Sequence, residues 1–297
     1  MISKEDLIRL QLINGLGRKT INKILSYIEL KNIKFDNFSD ILKFISKMKI
    51  KRIKIDEQKI LEESAKIIET CKKYKIQIIG LYDSKYPYKL KLIEDRPIVL
   101  YVDGDAGLMK ETNNIAIVGS RKPSQEGYEV SSIFAERLAE EGCCIVSGLA
   151  SGCDEAAHKG CLLAKGKTIA VIPSGHFYVL KSSRSIYNKI ILNGGCIVSE
   201  LPPLAKVEKY SFVDRNRIIA AISEGVIVIE GGLTGGTSHT VKFAQKFNKE
   251  VAYTTDICKK TGQTLMFNDI GIIDSFEKLV NFKNKSCKKT LDKVISQ

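Results

Sequence analysis

No stretch of this chain is apolar for the roughly 18 residues that a membrane-spanning helix needs, so no membrane role is expected. Its first residues lead into no hydrophobic leader, and the expected location is the cytoplasm. Cysteines stand at 71, 143, 144, 153, 161, 196, 258 and 287 without a single C-x-x-C spacing, and Cys143 and Cys144 are adjacent in a strand-like run. That excludes the usual zinc-ribbon pattern and argues for buried reduced thiols rather than a disulfide framework. Gly166-Lys167-Thr168 ends like a P-loop, but Cys161 stands where its first glycine belongs, and the segment enters a strand instead of a helix. No G-x-G-x-x-G follows the first strand of the glycine-rich half, so the dinucleotide fingerprint is missing too. There is no internal repeat, and no cofactor or metal ion is expected.

Charge of negative sign is short in particular places. Residues 1–100 hold 22 Lys and Arg against 13 Asp and Glu, and residues 278–297 hold 6 against 1, whereas residues 101–277 are nearly balanced at 19 against 20. The N-terminal part and the tail therefore suit polyanions, or are a solvated Lys-rich surface; the basicity says little about the middle of the chain.

What is present is a change of period. Residues 1–75 read as helical, with Ser3 and Asp6 as an N-terminal cap and helical patterns near Phe38–Lys47 and Asp56–Tyr74. Between the first two helices lies Ile13-Asn14-Gly15-Leu16-Gly17, which resembles a helix-hairpin-helix turn. Its N–H groups can face a phosphate, or it can serve only as a compact turn. From residue 76 the chain alternates strand and helix. Strands are expected at Gln77–Leu81, Pro97–Val102, Ile115–Val118, Cys143–Ser147, Thr168–Ile172, Cys196–Ser199, Val226–Glu230, Glu250–Tyr253 and Gly271–Ile273. Helices are expected near Tyr128–Glu141, Cys153–Ala164, Ser183–Asn193, Arg215–Ser223 and Thr237–Phe247. This order predicts an α/β domain over 76–282 with a right-handed, mostly parallel sheet, followed by a frayed or weakly helical Lys-rich tail at 283–297.

Four strands end in glycine-bearing turns: Gly119-Ser120-Arg121, Ser147–Gly152, Pro173-Ser174-Gly175 and Glu230–Thr237. In a parallel sheet all C-terminal strand ends share one edge, so these turns should converge on one crevice. After Gly119, the start of the following helix should offer N–H groups to an anion, with Arg121 and Lys122 adding charge. A second basic element, Asp214-Arg215-Asn216-Arg217, cannot present both arginines on one helix face. One of them is expected to face the crevice and the other to pair with a carboxylate such as Asp214 or Glu230. Asp154 and His158 share a face four residues apart, but no nucleophile or metal ligand completes a catalytic set; His158 reads as structural, and His239 as the histidine facing a ligand.

These pieces, in this order, resemble the DprA/Smf family of DNA-processing proteins. The resemblance is carried by Pro97–Gly104 (PIVLYVDG), Ile115–Arg121 (IAIVGSR), Ile145–His158 (IVSGLASGCDEAAH), Val198–Pro203 (VSELPP), Phe212–Ile219 (FVDRNRII) and the Gly262–Asp274 stretch. It implies an extended Rossmann-like fold behind a small sterile-alpha-motif-like helical domain; no C-terminal winged-helix domain is expected to follow, a departure that some members share. It also implies sequence-independent binding of single-stranded DNA, protection of the incoming strand, homodimerisation, loading of RecA in natural transformation or recombination, and no enzymatic activity. Carried over by position, Gly119, Ser120, Arg121, Ser147, Gly148, Arg215, Asn216 and Arg217 belong to the DNA site, and Lys122, as added charge beside Arg121, and the loop residues Gly235, Gly236 and Thr237 are expected to join them. The chain departs from the family pattern at Glu126, where Tyr is usual, and at Val213, where Pro is usual. A rival reading is a nucleotide-processing or nucleotide-sensing protein, because Gly231–Thr237 resembles the loop of the lonely-guy phosphoribohydrolases. Those enzymes carry Glu three residues after the loop Thr, where this chain has Thr240.

Overall fold

The computed structural model describes residues 2–48, 50, 52–231, 235–254 and 271–295, with side chains to residue 289. The chain forms two compact units, Met1–Tyr101 and Val102–Gln297.

The first unit contains helices α1 (Lys4–Leu12), α2 (Arg18–Leu30), α3 (Phe38–Lys47) and α4 (Glu57–Lys73), strand β1 (Gln77–Gly80), the short helix α5 (Tyr88–Lys91) and the start of strand β2 (Val99–Gly104). Ser3 and Asp6 make a reciprocal capping box on α1, and Asn37 and Asp56 cap α3 and α4. The glycine hairpin does not stand alone: Asn14 bridges Lys54, whose N–H donates to the Asn14 carbonyl at 3.0 Å. The helices that the sequence pattern marked end with α4 at Lys73, while the compact unit runs on to Tyr101. Residues 77–101 are bonded back into the unit, Leu81 N–H to the Ile98 carbonyl at 2.9 Å and Asn22 Nδ2 to the Arg96 carbonyl at 2.8 Å.

The second unit is an α/β sheet. Its strands are β3 (Asn114–Val118), β4 (Cys144–Ser147), β5 (Thr168–Val171), β6 (Cys196–Ser199), β7 (Gly225–Val228), β8 (Glu250–Thr254) and β9 (Gly271–Ile273). They pair parallel throughout, in the order β6-β5-β4-β3-β7-β8-β9. Helices α6 (Gln125–Glu140), α7 (Cys153–Leu163), α8 (Arg184–Leu192), α9 (Ser211–Ile222) and α10 (Gly236–Lys246) supply the crossovers, and α11 (Phe276–Ile295) closes the unit. A parallel strand covered on both faces must be apolar on both, which is why β3, with all five residues buried, reads as a continuous run. Ile115 and Ile117 pack with Ala135, Leu138 and Ala157. Every residue of α9 from Arg215 to Ile222 is buried, so this helix has no solvent stripe to mark its orientation in sequence.

Strand order reverses at β3 and β7: the chain leaves β3 toward β4 and leaves β7 toward β8. The loops after these two strands diverge and open a crevice at their C-terminal ends, the usual ligand position in an open α/β sheet.

Expected strands and helices lie where the periodicity put them, with the tail as the exception. Residues 283–295 are not frayed but continue α11, and the lysines of this helix are partly satisfied at home. Lys285 and Lys289 hold Glu250 at 3.0 and 2.8 Å, and Lys283 reaches Glu141 at 3.4 Å. Of the Gly262–Asp274 stretch, residues 262–270 lie outside the described residues, as do Gly232, Leu233 and Thr234 of the glycine loop and Cys258. The other cysteines carry no disulfide, and all but Cys287 are buried. Burial raises the Cys71, Cys143, Cys153 and Cys161 thiols to about 12, which makes them unreactive near neutrality. No described helix is long and apolar enough to cross a membrane.

Candidate nucleic-acid interface

A pocket of about 480 Å³ opens at the switch point. One wall is the β3 turn, Gly119, Ser120 and Arg121; the opposite wall is the start of α10, Gly235, Gly236 and Thr237 with His239 and Thr240; Phe212, Arg215 and Asn216 of α9 and Asp154 of α7 complete it. Gly119 is sterically required. A Cβ there would lie 2.7 Å from the Cys153 Cβ and 2.9 Å from the Glu230 carbonyl oxygen, so only a bare backbone lets α7 and β7 close around the turn.

Arg121 is exposed, and its guanidinium carbon stands 4.6 Å from the centre of the Phe212 ring. The pair places a cation and an aromatic face together at the pocket mouth. The Ser120 hydroxyl accepts from the Lys122 N–H at 3.1 Å, leaving its proton to donate. Lys122 itself is exposed and does not line the pocket. Thr237 Oγ1 donates to the Gly119 carbonyl at 3.1 Å and ties the two walls together. The N-cap of α10 is Gly235, which has no side chain to bond the first-turn N–H groups, and these lie at the pocket.

The helix after β3 is different. It was expected to hold the anion, but its start is already occupied. Glu230, at the end of β7, accepts from the Ser124 N–H at 3.0 Å and from the Ser124 hydroxyl at 3.0 Å, while Ser124 caps Gly127 N–H. A carboxylate of the protein itself satisfies this helix terminus, whereas the start of α10 at the pocket has no side-chain cap.

The two arginines of α9 divide, but not with the expected partners. Arg217 is fully buried outside the pocket and clasps Glu200 through Nη2 at 2.7 and 2.8 Å, while Nη1 donates to the Asp214 carbonyl at 2.9 Å. Glu200, which the sequence expectation did not name, is a carboxylate partner of Arg217. Arg215 lines the pocket yet is buried, with Nη1 donating to the carbonyls of Gly148 and Val171 and Nε to Asn216 Oδ1 at 3.0 Å. Burial, and then the neighbouring Arg121 cation, bring its pKa down to about 10 against the opposing pull of Asp154. Asp154 accepts from the Gly148 N–H at 3.1 Å, and burial raises its pKa despite Arg215 beside it. Asn216 Nδ2 donates to the Gly236 carbonyl at 3.0 Å. Ser147 is buried, its hydroxyl on the Ile117 carbonyl at 2.6 Å and beside the Asp154 carboxylate, so its side chain braces β3 and α7. The third glycine turn does not reach the crevice: Gly175 is hydrogen-bonded to Ala205 at 2.9 Å.

His158 lies in the core, its Nδ1 2.7 Å from Thr168 Oγ1, whose proton goes to the Ile145 carbonyl. Nδ1 therefore carries the ring proton. Burial, and then Arg215, lower its pKa to about 3. The folded state thus holds a neutral ring, which contributes stability above the ordinary value of 6.5 and loses it as pH falls from 6.5 toward 3. In urea unfolding between pH 7.5 and 4.5, wild-type stability is expected to fall by up to about 1.4 kcal/mol per pH unit below 6.5 from this group. His158→Gln should be less stable at pH 7.5 and flatter below 6.5. An unchanged slope in the variant would assign the pH dependence to another group.

Sequence reasoning missed the roles of Phe212, Glu200 and Glu230. Phe212 had a signal in its place just ahead of the Arg-Asn-Arg element. Glu200 stood in the Val198–Pro203 motif and Glu230 was named as a candidate carboxylate, but their partners, 17 and 106 residues away, had no local signal.

With this geometry in hand, residues 77–281 match the family described as DNA recombination-mediator protein A. The chain belongs to that family. DNA processing protein DprA of Bacillus subtilis is 33% identical over 215 residues, 72% of each chain. Protein Smf of Borreliella burgdorferi is 30% identical over 241 residues, 80% of this chain and 74% of its own. The structure of DprA from Streptococcus pneumoniae aligns with a TM-score of 0.73 at 27% identity, covering 94% of this chain and 98% of that one. That of DNA processing protein A from Helicobacter pylori, solved for its single-stranded DNA binding mode, aligns with a TM-score of 0.60 at 26% identity, covering 73% and 98%. The fold is thus that of the DNA-processing family, and the crevice is the place to seek its ligand.

Proposed function

We propose that this protein binds single-stranded DNA by its backbone, without reading sequence, protects the strand and passes it to a RecA-type recombinase. In this reading it acts in the cytoplasm as a homodimer and catalyses no reaction. The observation that carries the reading is the Arg121–Phe212 pair facing the uncapped start of α10 across one pocket. A guanidinium, a donor hydroxyl on Ser120 and a helix N-terminus suit a phosphodiester, and the ring suits any base. None of these groups reads a base edge, so sequence tolerance follows. Family membership and the single-stranded DNA binding of the Helicobacter pylori relative support the same ligand. A non-catalytic role is supported by Asp154 and His158, which are engaged in holding the turn after β4 and the core. It is supported also by Thr240, where the nucleotide-cleaving enzymes with a similar loop place Glu.

The test is a paired titration. A 20-mer of mixed sequence should bind better as a single strand than as a duplex, with affinity falling steeply between 50 and 200 mM salt. A nucleoside monophosphate should bind weakly and release no base. Micromolar binding of the mononucleotide with none of the 20-mer would establish the nucleotide-sensor reading instead.

A further inference from the structure

Beyond the pocket, two loops of the second unit form a surface that the site does not use. Residues 175–181 follow β5, and residues 202–210 lead into α9. They are joined by their backbones: the Gly175 N–H donates to the Ala205 carbonyl at 2.9 Å, and the Phe177 N–H to the Pro203 carbonyl at 3.1 Å. Gly175 is needed for this closeness, because a Cβ there would strike the Pro202 and Pro203 carbonyls. The surface is anchored from below. Buried Tyr187 donates to Asp103 at 2.7 Å and contacts the His176 ring nitrogen at 3.0 Å, while Arg184 donates to the His176 carbonyl at 3.0 Å.

On this rigid base the outward side chains are large and apolar. Tyr178 is 42% and Tyr210 61% exposed, with Phe177, Leu180, Leu204 and Val207 exposed beside them. Lysines are interleaved. Lys206 Nζ lies 5.9 Å from the centre of the Tyr178 ring across the joined loops, and Lys181 and Lys209 are exposed in the same segments. Glu208 is the one carboxylate in the two loops, and it is hydrogen-bonded by Tyr210. Rings and lysines in alternation, with a net positive charge, are the composition of a stacking surface for single strands. The surface is also continuous with the pocket. Tyr210 caps α9, whose second residue, Phe212, lines the pocket, so at most about 7 Å of chain separates them.

We propose that these two loops form a second subsite for single-stranded nucleic acid, a platform over which the strand leaving the pocket stacks its bases on Tyr178 and Tyr210 while Lys181 and Lys206 face its phosphates. The proposal rests on the single-strand reading of the pocket. A 24-mer could also bridge the two pockets of a dimer, so the proposal predicts a part of the length dependence that vanishes when Tyr178 and Tyr210 are removed while the pocket is intact. A 6-mer of thymidine should be held by the pocket, and a 24-mer by pocket and platform together.

The experiment is fluorescence anisotropy with labelled 6-mer and 24-mer on the full chain, its Tyr178→Ala/Tyr210→Ala variant, Lys206→Glu and Arg121→Ala, each checked by circular dichroism. The double variant is expected to bind the 6-mer within about twofold of wild type and the 24-mer about 25-fold or more weaker, since each of the two lost stacks weakens binding by at least about fivefold. Lys206→Glu, which keeps both rings, should weaken the 24-mer and flatten its salt dependence. If both platform variants bind the 24-mer like wild type while Arg121→Ala loses it, the platform is overturned and the pocket stands. Wild type binding neither oligomer would remove both. Loss of self-association in sedimentation by the double variant, with 24-mer binding intact, would show the surface to be a protein interface and overturn the proposal.

Discussion

Glu200→Ala is expected to destabilise the protein by roughly 3–5 kcal/mol, the usual consequence of leaving a buried charge unpaired. The Arg217 side chain is wholly inaccessible to solvent, and both carboxylate oxygens of Glu200 accept from its Nη2. Without that carboxylate, a full positive charge in the core loses both of its Nη2 bonds to Glu200. Chemical denaturation should show an earlier midpoint with little change in slope, and Glu200→Gln, which retains one acceptor, should fall between the variant and wild type. DNA affinity measured well below the melting temperature should change little, because neither residue lines the pocket. A Glu200→Ala protein as stable as wild type would mean that the ion pair is solvated.

Arg121→Ala should weaken single-stranded DNA binding by about 10- to 100-fold, the magnitude of a charge-assisted phosphate contact. The loss should be uniform across sequences, and the salt slope should fall by about one. Stability should hold, since Arg121 is exposed and its contact is with the Phe212 ring at the pocket mouth. The contrast with Arg217 is the informative part. Two arginines that look alike in the sequence, each beside a motif glycine or a second arginine, are expected to fail in opposite assays. Unchanged affinity in Arg121→Ala would take this residue out of the site and leave the uncapped start of α10 as the anion position.

Much of this was legible before any coordinates. β3 announced itself because a strand covered on both faces cannot carry polar side chains, and Ile115 to Val118 contain none. The convergence of the turns at Gly119 and Gly235 followed from parallel pairing alone, since all C-terminal ends then share an edge. The turn at Gly175 obeyed the same rule and still lay elsewhere, because the loop at 202–205 covers it. The tail misled for a different reason. Its lysines suggest a solvated, fraying end, and only Glu250 and Glu141, brought near by the sheet and by α6, show what several of them hold.

The sequence by itself determined the alternation of strands and helices, the crevice at their ends and the family, since local period, glycine placement and motif order are properties of short segments. Tertiary structure alone decided which charges are free to meet DNA. Glu230 closes the start of α6 from 106 residues away, Glu200 withdraws Arg217, and the carbonyls of Gly148 and Val171 engage Arg215. A charged side chain is claimed by whatever packing brings within 3 Å of it, and that distance is set by the fold and not by separation along the chain.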